Sequence, residues 1–149
     1  MQAKEGIGTE FTGVSAIFFC HDGAGNFLIS RRSPGARDEH GTWDPGGGGI
    51  KFGERVEDAL CREVREEYCT DALDVEFLGF RDVLREHNGR PTHWIALDFK
   101  VLIDPQPVAI GEPHRCDGLR WVTLKELENF SEPFHSQFPA FLEKYRERL

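Results

Sequence analysis

The sequence predicts a mixed α/β fold, in which a mixed β-sheet is covered by helices on both faces. Three observations support this prediction. Apolar, β-prone segments recur in both halves of the chain, a segment with helical spacing lies between them, and a second helical segment ends the chain. At 149 residues, the chain has the length of one domain and can bury a substantial core. We therefore predict a single domain over residues 1–149.

The first predicted element is a β-hairpin. Residues 14–20 and 27–30 are apolar and β-prone, and the polar, glycine-containing segment 21–26 between them is typical of a turn. A polar loop over residues 33–42 then leads to Trp43. The hairpin supplies the first two strands of the predicted sheet.

A glycine-rich loop and a helix come next. Five of the 16 glycines lie between Gly46 and Gly53, and we interpret this segment as a loop that enters the helix. From Val56 to about Tyr68, apolar residues recur at helical spacing. This part of the chain carries the functional prediction.

The second half of the chain contains three predicted strands and two predicted helices. In chain order these are strands near 75–83 and 93–103, a strand at 119–122, a helical turn at 124–127 and a terminal helix over about the last fifteen residues. The segment 87–90, His-Asn-Gly-Arg, is a good hairpin turn between the first two of these strands. A Pro-containing loop over 104–117 precedes the third strand.

Composition and charge exclude several classes of protein. Hydrophobic residues make up 39% of the chain and charged residues 30%, which is ordinary for a globular domain. The net charge of −8 argues against strong binding of a nucleic-acid polymer. The net charge does not exclude binding of a small phosphorylated ligand, because a bound metal ion reverses the local charge. No segment has the roughly 18 apolar residues of a membrane span, and the N-terminus lacks a signal-peptide core.

The four cysteines indicate a reducing compartment. Cys20, Cys61, Cys69 and Cys116 form no Cys-x-x-Cys pair and have no histidine at the spacing of a zinc site. We interpret them as free thiols and expect a cytoplasmic protein. A disulfide between two of them is the alternative.

The predicted helix places acidic side chains beside its own apolar face. The apolar arc, which we expect to face the core, consists of Val56, Leu60 and Val64. Glu67 falls within this arc, Glu63 lies at its margin, and Glu66 lies further round on the same side. Three carboxylates therefore converge at the edge of a buried face, where they repel one another and lose solvation.

A divalent cation would remove this conflict. Mg²⁺ and Mn²⁺ prefer oxygen ligands of this kind. Arg62 lies one turn before Glu66 and is expected to orient a carboxylate. The alternative is a solvated acidic face with surface ion pairs to Arg62 and Arg65. Glu67 favours the metal site, since it cannot lie in the apolar arc and also be fully solvated.

The glycines before the helix are suited to the same site. Gly46 to Gly49 are consecutive, so the backbone can approach a ligand closely and present its carbonyl or N–H groups. A flexible turn is the alternative for glycines that stand alone. Directly before a carboxylate-lined helix, they indicate part of a site for metal and phosphate.

The glycine loop and helix resemble the Nudix hydrolase family. The family's box, G-x5-E-x7-R-E-U-x-E-E-x-G-U with U a bulky aliphatic residue, is matched at seven positions: Gly48, Glu54, Arg62, Glu63, Val64, Glu66 and Glu67. Cys69 stands where the family has the glycine that ends the helix in a left-handed conformation, and Thr70 stands where it has an aliphatic residue. Cysteine there should cost roughly 1 kcal/mol, or the helix ends differently. Pro45 lies one residue earlier than the family's proline.

The resemblance implies a metal site and a fold. Glu66 and Glu67 would be metal ligands, Glu63 a ligand or the general base, and the region of Gly48 a carbonyl ligand. The metal would be Mg²⁺, with Mn²⁺ as a substitute. The fold would be the Nudix-like α/β/α sandwich with a mixed central β-sheet.

The resemblance also implies roles for residues around the metal ligands. Glu54 would pair with Arg62 and brace the loop against the helix, or contact the metal through water. Glu112 is a candidate for the base, because the segment from Glu112 to Cys116 resembles one found in members that cleave nucleoside triphosphates. An exposed loop acid is the alternative for Glu112.

Substrate-binding residues are less marked in the sequence. Arg31 and Arg32, at the end of a predicted strand, are candidates for binding substrate phosphates, with ordinary surface charge as the alternative. Aromatic candidates for stacking on a base are Trp43, Trp94 and Phe80, with core packing as the alternative.

The function implied is Mg²⁺-dependent hydrolysis of the diphosphate linkage of a nucleoside diphosphate derivative. The expected substrate is a nucleoside triphosphate, standard or modified, which is cleaved to the monophosphate and pyrophosphate. One alternative is a catalytically silent Nudix module that binds a nucleotide and regulates another process. Another is an unrelated acidic domain that uses the helix for protein contacts. The oligomeric state is left open, with a homodimer as one alternative.

Overall fold

The computed structural model describes residues 5–149, so the first residues considered for a signal peptide lie outside it. The strands are β1 Gly13–His21, β2 Phe27–Arg32, β3 Trp43–Asp44, β4 Gly46–Gly49, β5 Ala72–His87, β6 Arg90–Ile103 and β7 Cys116–Val122. The helices are α1 Val56–Tyr68, α2 Leu124–Glu128 and α3 Phe138–Tyr145, and a 3₁₀ turn follows at Arg146–Arg148.

The seven strands form one mixed sheet. The main order is β3-β2-β1-β6-β5, while β4 pairs with β1 and β7 pairs with β2. The central pair of β1 and β6 is parallel, and the other pairs are antiparallel. The predicted hairpins of β1 with β2 and of β5 with β6 are both present.

Helices cover both faces of this sheet because its strands alternate apolar side chains. On β1, the side chains of Ala16 and Phe18 pack in one core cluster with Leu60 and Val64 of α1. Phe19 packs in the second cluster with Phe141 of α3. The predicted mixed α/β class and sandwich architecture are therefore confirmed.

Helix α1 begins and ends where the sequence predicts. The capping residue after its last turn, Cys69, adopts the left-handed conformation, with φ 57° and ψ 30°, and the Cys69 N–H donates to the carbonyl of Arg65. The helix thus ends as it would with glycine, but on a residue that carries a Cβ.

The glycine segment differs from the prediction, since Gly46–Gly49 is strand β4 and not a loop. Glycine is depleted in strands, so local preference does not indicate one here. Close packing explains the composition: a Cβ on Gly46 would lie 2.0 Å from Cε2 of Phe18, and one on Gly48 would lie 2.1 Å from Cδ of Glu63.

Other expectations were close to the structure. Strands β5 and β6 are longer than predicted, and the terminal helix begins at Phe138. The four cysteines are free thiols, as expected. Among residues 5–149, no helix has the length and apolar character required to cross a membrane.

Candidate active site

A cavity of about 640 Å³ opens beside the last turn of α1. This volume is within the range of pockets that hold small molecules. Its acidic end, as we name it, is formed by Gly47–Gly49, Glu67 and Glu112, with Glu63 against the glycine backbone. Its arginine wall is formed by Arg32, Arg37, Arg81 and Arg85.

Glu67 is the most perturbed carboxyl group of the acidic end. Its Oε2 accepts a hydrogen bond from the N–H of Gly47 at 3.2 Å. Burial raises the pKa of Glu67 well above its ordinary value, and the nearby charges of Glu63, Asp44 and Glu112 raise it further. Within residues 5–149, no cationic side chain forms an ion pair with Glu67. The carboxyl group therefore lacks a compensating cation.

Glu63 lies one helical turn before Glu67 and packs on the backbone of Gly48. A Cβ at position 48 would overlap the Glu63 carboxyl group, so any other residue there would displace that side chain. The Glu63 side chain is 13% exposed, and burial raises its pKa above the ordinary value. Arg62 opposes this shift by donating a hydrogen bond to Oε1 at 2.9 Å.

Arg62 connects the loop before α1 to the acids of α1. It donates to both carboxylate oxygens of Glu54, at 2.7 and 2.9 Å, and this hydrogen bonding lowers the pKa of Glu54 to about 2. It also donates to Glu66 at 3.2 Å. The structure therefore contains the expected brace between Glu54 and Arg62, and Arg62 orients carboxylates as expected.

The three acids Glu63, Glu66 and Glu67 of α1 are not drawn together into one cluster. Glu66 is the most exposed of them, at 46%, and is turned toward Arg62. Glu63 is also held by Arg62, whereas Glu67 points into the cavity. Their oxygen atoms are the donor type that Mg²⁺ and Mn²⁺ prefer. Within residues 5–149, Glu67 has no cationic side chain as a partner. The donor set thus fits a divalent cation, with Gly48 supplying the adjacent backbone.

The loop that carries Glu112 is fixed to the end of α1. The N–H groups of Ala109 and Gly111 donate to the carbonyls of Tyr68 and Glu67, at 3.0 and 2.9 Å. A Cβ on Gly111 would lie 1.9 Å from the carbonyl oxygen of Glu66, so only glycine permits this contact. Glu112 consequently lines the cavity, where its charge raises the pKa of both Glu63 and Glu67.

Arg31 and Arg32 line the cavity but are paired with acids of the chain. Arg31 donates to Asp117 at 2.7 Å. Arg32 pairs with Asp38 at 3.0 Å and with Asp44 at 3.7 Å. Their assignment as phosphate ligands stays a prediction, and these internal pairs would compete with a substrate phosphate.

The aromatic candidates occupy three different environments. Trp43 is buried in the core beneath the cations of Arg31 and Arg120. Trp94 lines the cavity. Phe80 is exposed and does not line the large cavity. Of the three, Trp94 alone is placed to meet a ligand in the large cavity.

Several residues that line the cavity were not predicted from the sequence. Among them are Asp44, Arg81, Arg85 and His135. Burial raises the pKa of Asp44 to about 7. Along β5, Arg81 and Arg85 alternate with outward-facing residues. This alternation is the one sequence signal that could have placed the two arginines on the same face of the strand.

Comparison with known proteins places this site in a family. Residues 11–143 match the NUDIX domain family. The match covers most of the chain, and with the fold and the helix of carboxylates it shows that the chain belongs to the Nudix hydrolase family, as the sequence predicted. It is an enzyme of the hydrolase class that acts on phosphoric anhydride bonds. Nudix hydrolases generally depend on a divalent metal.

Individual relatives and solved structures show how similar this chain is to known proteins. Nucleoside triphosphatase NudI of Klebsiella pneumoniae (strain 342) is 30% identical over 113 residues, which are 71% of this chain and 79% of that protein. RNA pyrophosphohydrolase of Teredinibacter turnerae is 33% identical over 118 residues, 68% of this chain and 66% of that protein. The crystal structure of a MutT NUDIX hydrolase from Burkholderia pseudomallei matches with a TM-score of 0.76 at 25% identity, over 90% of this chain and 98% of that chain.

Proposed function

We propose that this chain is a Mg²⁺-dependent nucleotide pyrophosphohydrolase that converts a nucleoside triphosphate, standard or modified, to the monophosphate and pyrophosphate. The observation that carries the proposal is the uncompensated carboxyl group of Glu67, which faces a nucleotide-sized cavity against a glycine strand. The similarity to a protein named nucleoside triphosphatase supports the substrate class. The four free thiols support a cytoplasmic setting.

The residues that would hold the metal are Glu63, Glu66, Glu67 and the carbonyl of Gly48. When bound there, a divalent cation would neutralise the charge of the diphosphate and polarise the phosphorus atom. Arg62 orients the carboxyl groups of Glu63 and Glu66, since it donates a hydrogen bond to each. Glu54 in turn fixes Arg62, so that the brace positions the ligands without touching the substrate.

Glu112 is our choice for the general base. Glu63 is engaged by Arg62, whereas Glu112 has no ion pair among the described residues and lines the cavity. In the proposed reaction, Glu112 removes a proton from a water molecule that attacks phosphorus. The bond from phosphorus to the bridging oxygen breaks, and pyrophosphate leaves with the electron pair.

A nucleotide panel with product analysis tests the proposal. The protein is incubated with Mg²⁺ and, separately, with standard and modified nucleoside triphosphates, ADP-ribose, a dinucleoside polyphosphate and a 5′-triphosphate RNA, and released phosphate and pyrophosphate are measured. We expect pyrophosphate and a monophosphate from at least one nucleoside triphosphate. Release of phosphate alone, or activity confined to another class, would contradict the substrate assignment.

The same test distinguishes the alternative function, a catalytically silent module that binds a nucleotide. It predicts nucleotide binding with no product at any metal concentration. Mn²⁺ titration followed by electron paramagnetic resonance separates the metal site from the activity, with Glu67→Gln as the site variant. Glu57→Gln is the matched control, because Glu57 is exposed on the first turn of the same helix. Unchanged Mn²⁺ affinity in Glu67→Gln would contradict the site.

A further inference from the structure

The loop 33–42 forms part of the cavity wall. Gly35, Ala36 and Arg37 of this loop line the cavity. At its start, the Ser33 hydroxyl donates to the carbonyl of His114 at 2.5 Å. At its end, the N–H of Gly41 donates to the carbonyl of Arg32 at 2.7 Å. The loop is therefore tied down at both ends, and its middle must be held by other contacts.

Glu39 supplies contacts of this kind as an acceptor for two other parts of the chain, the segment 135–136 and strand β5. Its Oε1 accepts from the N–H of Ser136 at 2.7 Å, and its Oε2 accepts from the Ser136 hydroxyl at 2.9 Å. The Oε2 atom also contacts Nε2 of His135 at 2.8 Å and accepts from Arg85. Of these partners, Arg85 and His135 line the cavity themselves.

The contact with His135 has a defined direction. The Nδ1 atom of His135 accepts a hydrogen bond from the N–H of Gln137 at 3.2 Å. With Nδ1 as acceptor, the ring proton is on Nε2, which donates to Glu39. Burial lowers the pKa of His135 to about 4, in agreement with a neutral ring. Glu39 thereby fixes the orientation of a ring in the cavity wall.

The backbone of Glu39 is strained. Its φ is 48°, in the left-handed region, and this conformation costs a residue with a Cβ roughly 1 kcal/mol. A strained backbone conformation of this kind persists where several surrounding contacts hold the residue in place, and it is common at functional sites. The contacts of the Glu39 side chain with Ser136, His135 and Arg85 meet that condition.

A metal ion is a less suitable partner for this cluster. Ligand atoms of Asp38, Glu39 and His135 lie within 4.8 Å of one another. However, Asp38 already accepts from Arg32 and Arg85, at 3.0 and 3.3 Å, and both oxygens of Glu39 are occupied. Two guanidinium cations at the cluster would also repel a metal ion.

From these contacts we infer that Glu39 is a positioning residue, which holds loop 33–42, Arg85 and His135 together as one part of the cavity wall. This part of the wall contacts the portion of the substrate that lies beyond the diphosphate. The inference rests on the proposed function for the identity of the substrate. Because Glu39 does not line the cavity, it acts through its partners. Its loss therefore weakens substrate binding and leaves the reacting centre at the acidic end intact.

Two variants and one control test the inference. Glu39→Gln keeps the size of the side chain but places an amide against Arg85 and His135, and Ser136→Ala removes a single donor. Glu128→Gln is the control, because Glu128 is an exposed partner of Arg146 and does not line the cavity. Amide hydrogen exchange of the peptide 33–42 is measured in the free protein. We expect about tenfold faster exchange in Glu39→Gln, a smaller increase in Ser136→Ala and none in the control.

Kinetics with the most active nucleoside triphosphate of the panel provide the second measurement. For Glu39→Gln we expect KM to rise about tenfold, with kcat within about threefold of wild type. Unchanged exchange of the peptide 33–42, or a loss of kcat at unchanged KM, would overturn the inference. If the wild type cleaves no nucleotide, the proposed function fails, and the exchange measurement still decides whether Glu39 anchors the loop.

Discussion

Carboxyl groups lie both at the acidic end of the cavity and against the arginine wall, but the two sets differ in how they are paired. At the arginine wall, Asp38, Glu39 and Asp98 each accept hydrogen bonds from an arginine. At the acidic end, the carboxyl groups of Glu67 and Glu112 have no ion pair within the part of the chain that the structure describes.

This difference separates structural acids from ligand-binding acids. A buried carboxylate matched by an arginine is part of the fold, and removing it leaves an unpaired cation. A buried carboxylate without a partner is unfavourable by itself and becomes favourable when a cation binds. Neutralising an acid should therefore have opposite effects on stability at the two ends.

Glu67→Gln is expected to give the largest effect. Loss of a ligand charge should remove about 4 kcal/mol of transition-state stabilisation, which is about a thousandfold in turnover. In metal-free buffer the same variant should unfold at an equal or higher temperature than the wild type, since a partly buried carboxyl group without a cationic partner is replaced by a neutral amide. Steady-state kinetics with Mg²⁺ and thermal unfolding in EDTA measure the two effects.

Either half of that expectation can fail separately. Near-native turnover with Mg²⁺ would contradict the role of Glu67. A clear loss of stability in EDTA would show that Glu67 is paired in the metal-free protein, and the difference between the two ends would disappear. Glu57→Gln on the same helix controls for general effects of removing one charge.

Asp98→Asn is the corresponding change at the arginine wall. Asp98 is fully buried, accepts from Arg81 at 2.7 and 2.9 Å, and accepts from the hydroxyl of Tyr145 at 2.6 Å. The variant leaves the cation of Arg81 buried without its counter-ion, so we expect the free energy of unfolding to fall by about 3 kcal/mol. Urea unfolding measures this, with the exposed Asp74→Asn as control. A loss below about 1 kcal/mol would contradict the structural role.

The two ends also differ in how far the sequence reveals them. The acids of α1 follow one another at helical spacing, so Glu63, Glu66 and Glu67 could be placed on one side of a helix without a structure. The arginine wall is assembled from β2, β5 and loop 33–42, and no local pattern relates Asp38 to Arg85 or Glu39 to Ser136. Such contacts depend on how the strands are ordered in the sheet, which local spacing does not encode.

A similar limit applies to strand β4. The four glycines are read locally as a loop, since glycine has a low preference for strands. Their conformation is set by tertiary packing, with Gly46 against Phe18 and Gly48 against Glu63. The helix and both hairpins were predicted because their signals are local. Apolar residues recur at helical spacing in α1, and turn-forming residues lie between β1 and β2 and between β5 and β6.

Asp44→Asn tests the electrostatics between the two ends. The pKa of Asp44 is raised to about 7 from 3.8, so between these pH values the folded protein binds more protons than the unfolded chain. The free energy of unfolding therefore falls as pH rises through this window. The asparagine variant should be more stable than wild type by about 2 kcal/mol at pH 8 and by less at pH 5.

Thermal unfolding in EDTA at several pH values measures the effect of Asp44→Asn. Asp74→Asn serves again as the control, because Asp74 is exposed on β5. A stability difference that is independent of pH would show that Asp44 is ionised throughout, as Asp38 is at the arginine wall. Asp44 would then belong with the paired acids.

The smallest expected effect comes from the backbone at the acidic end. Cys69 ends α1 at φ 57°, and glycine at this position relieves about 1 kcal/mol of strain. Part of that gain is offset because glycine has more freedom in the unfolded chain. We expect Cys69→Gly to raise the free energy of unfolding by about 0.5 to 1 kcal/mol in urea, with turnover unchanged. Cys69→Ala is the matched control, since it removes the thiol and keeps the Cβ. Equal gains in both variants would assign the effect to the thiol, whose Sγ lies close to Gly111, and not to the left-handed backbone.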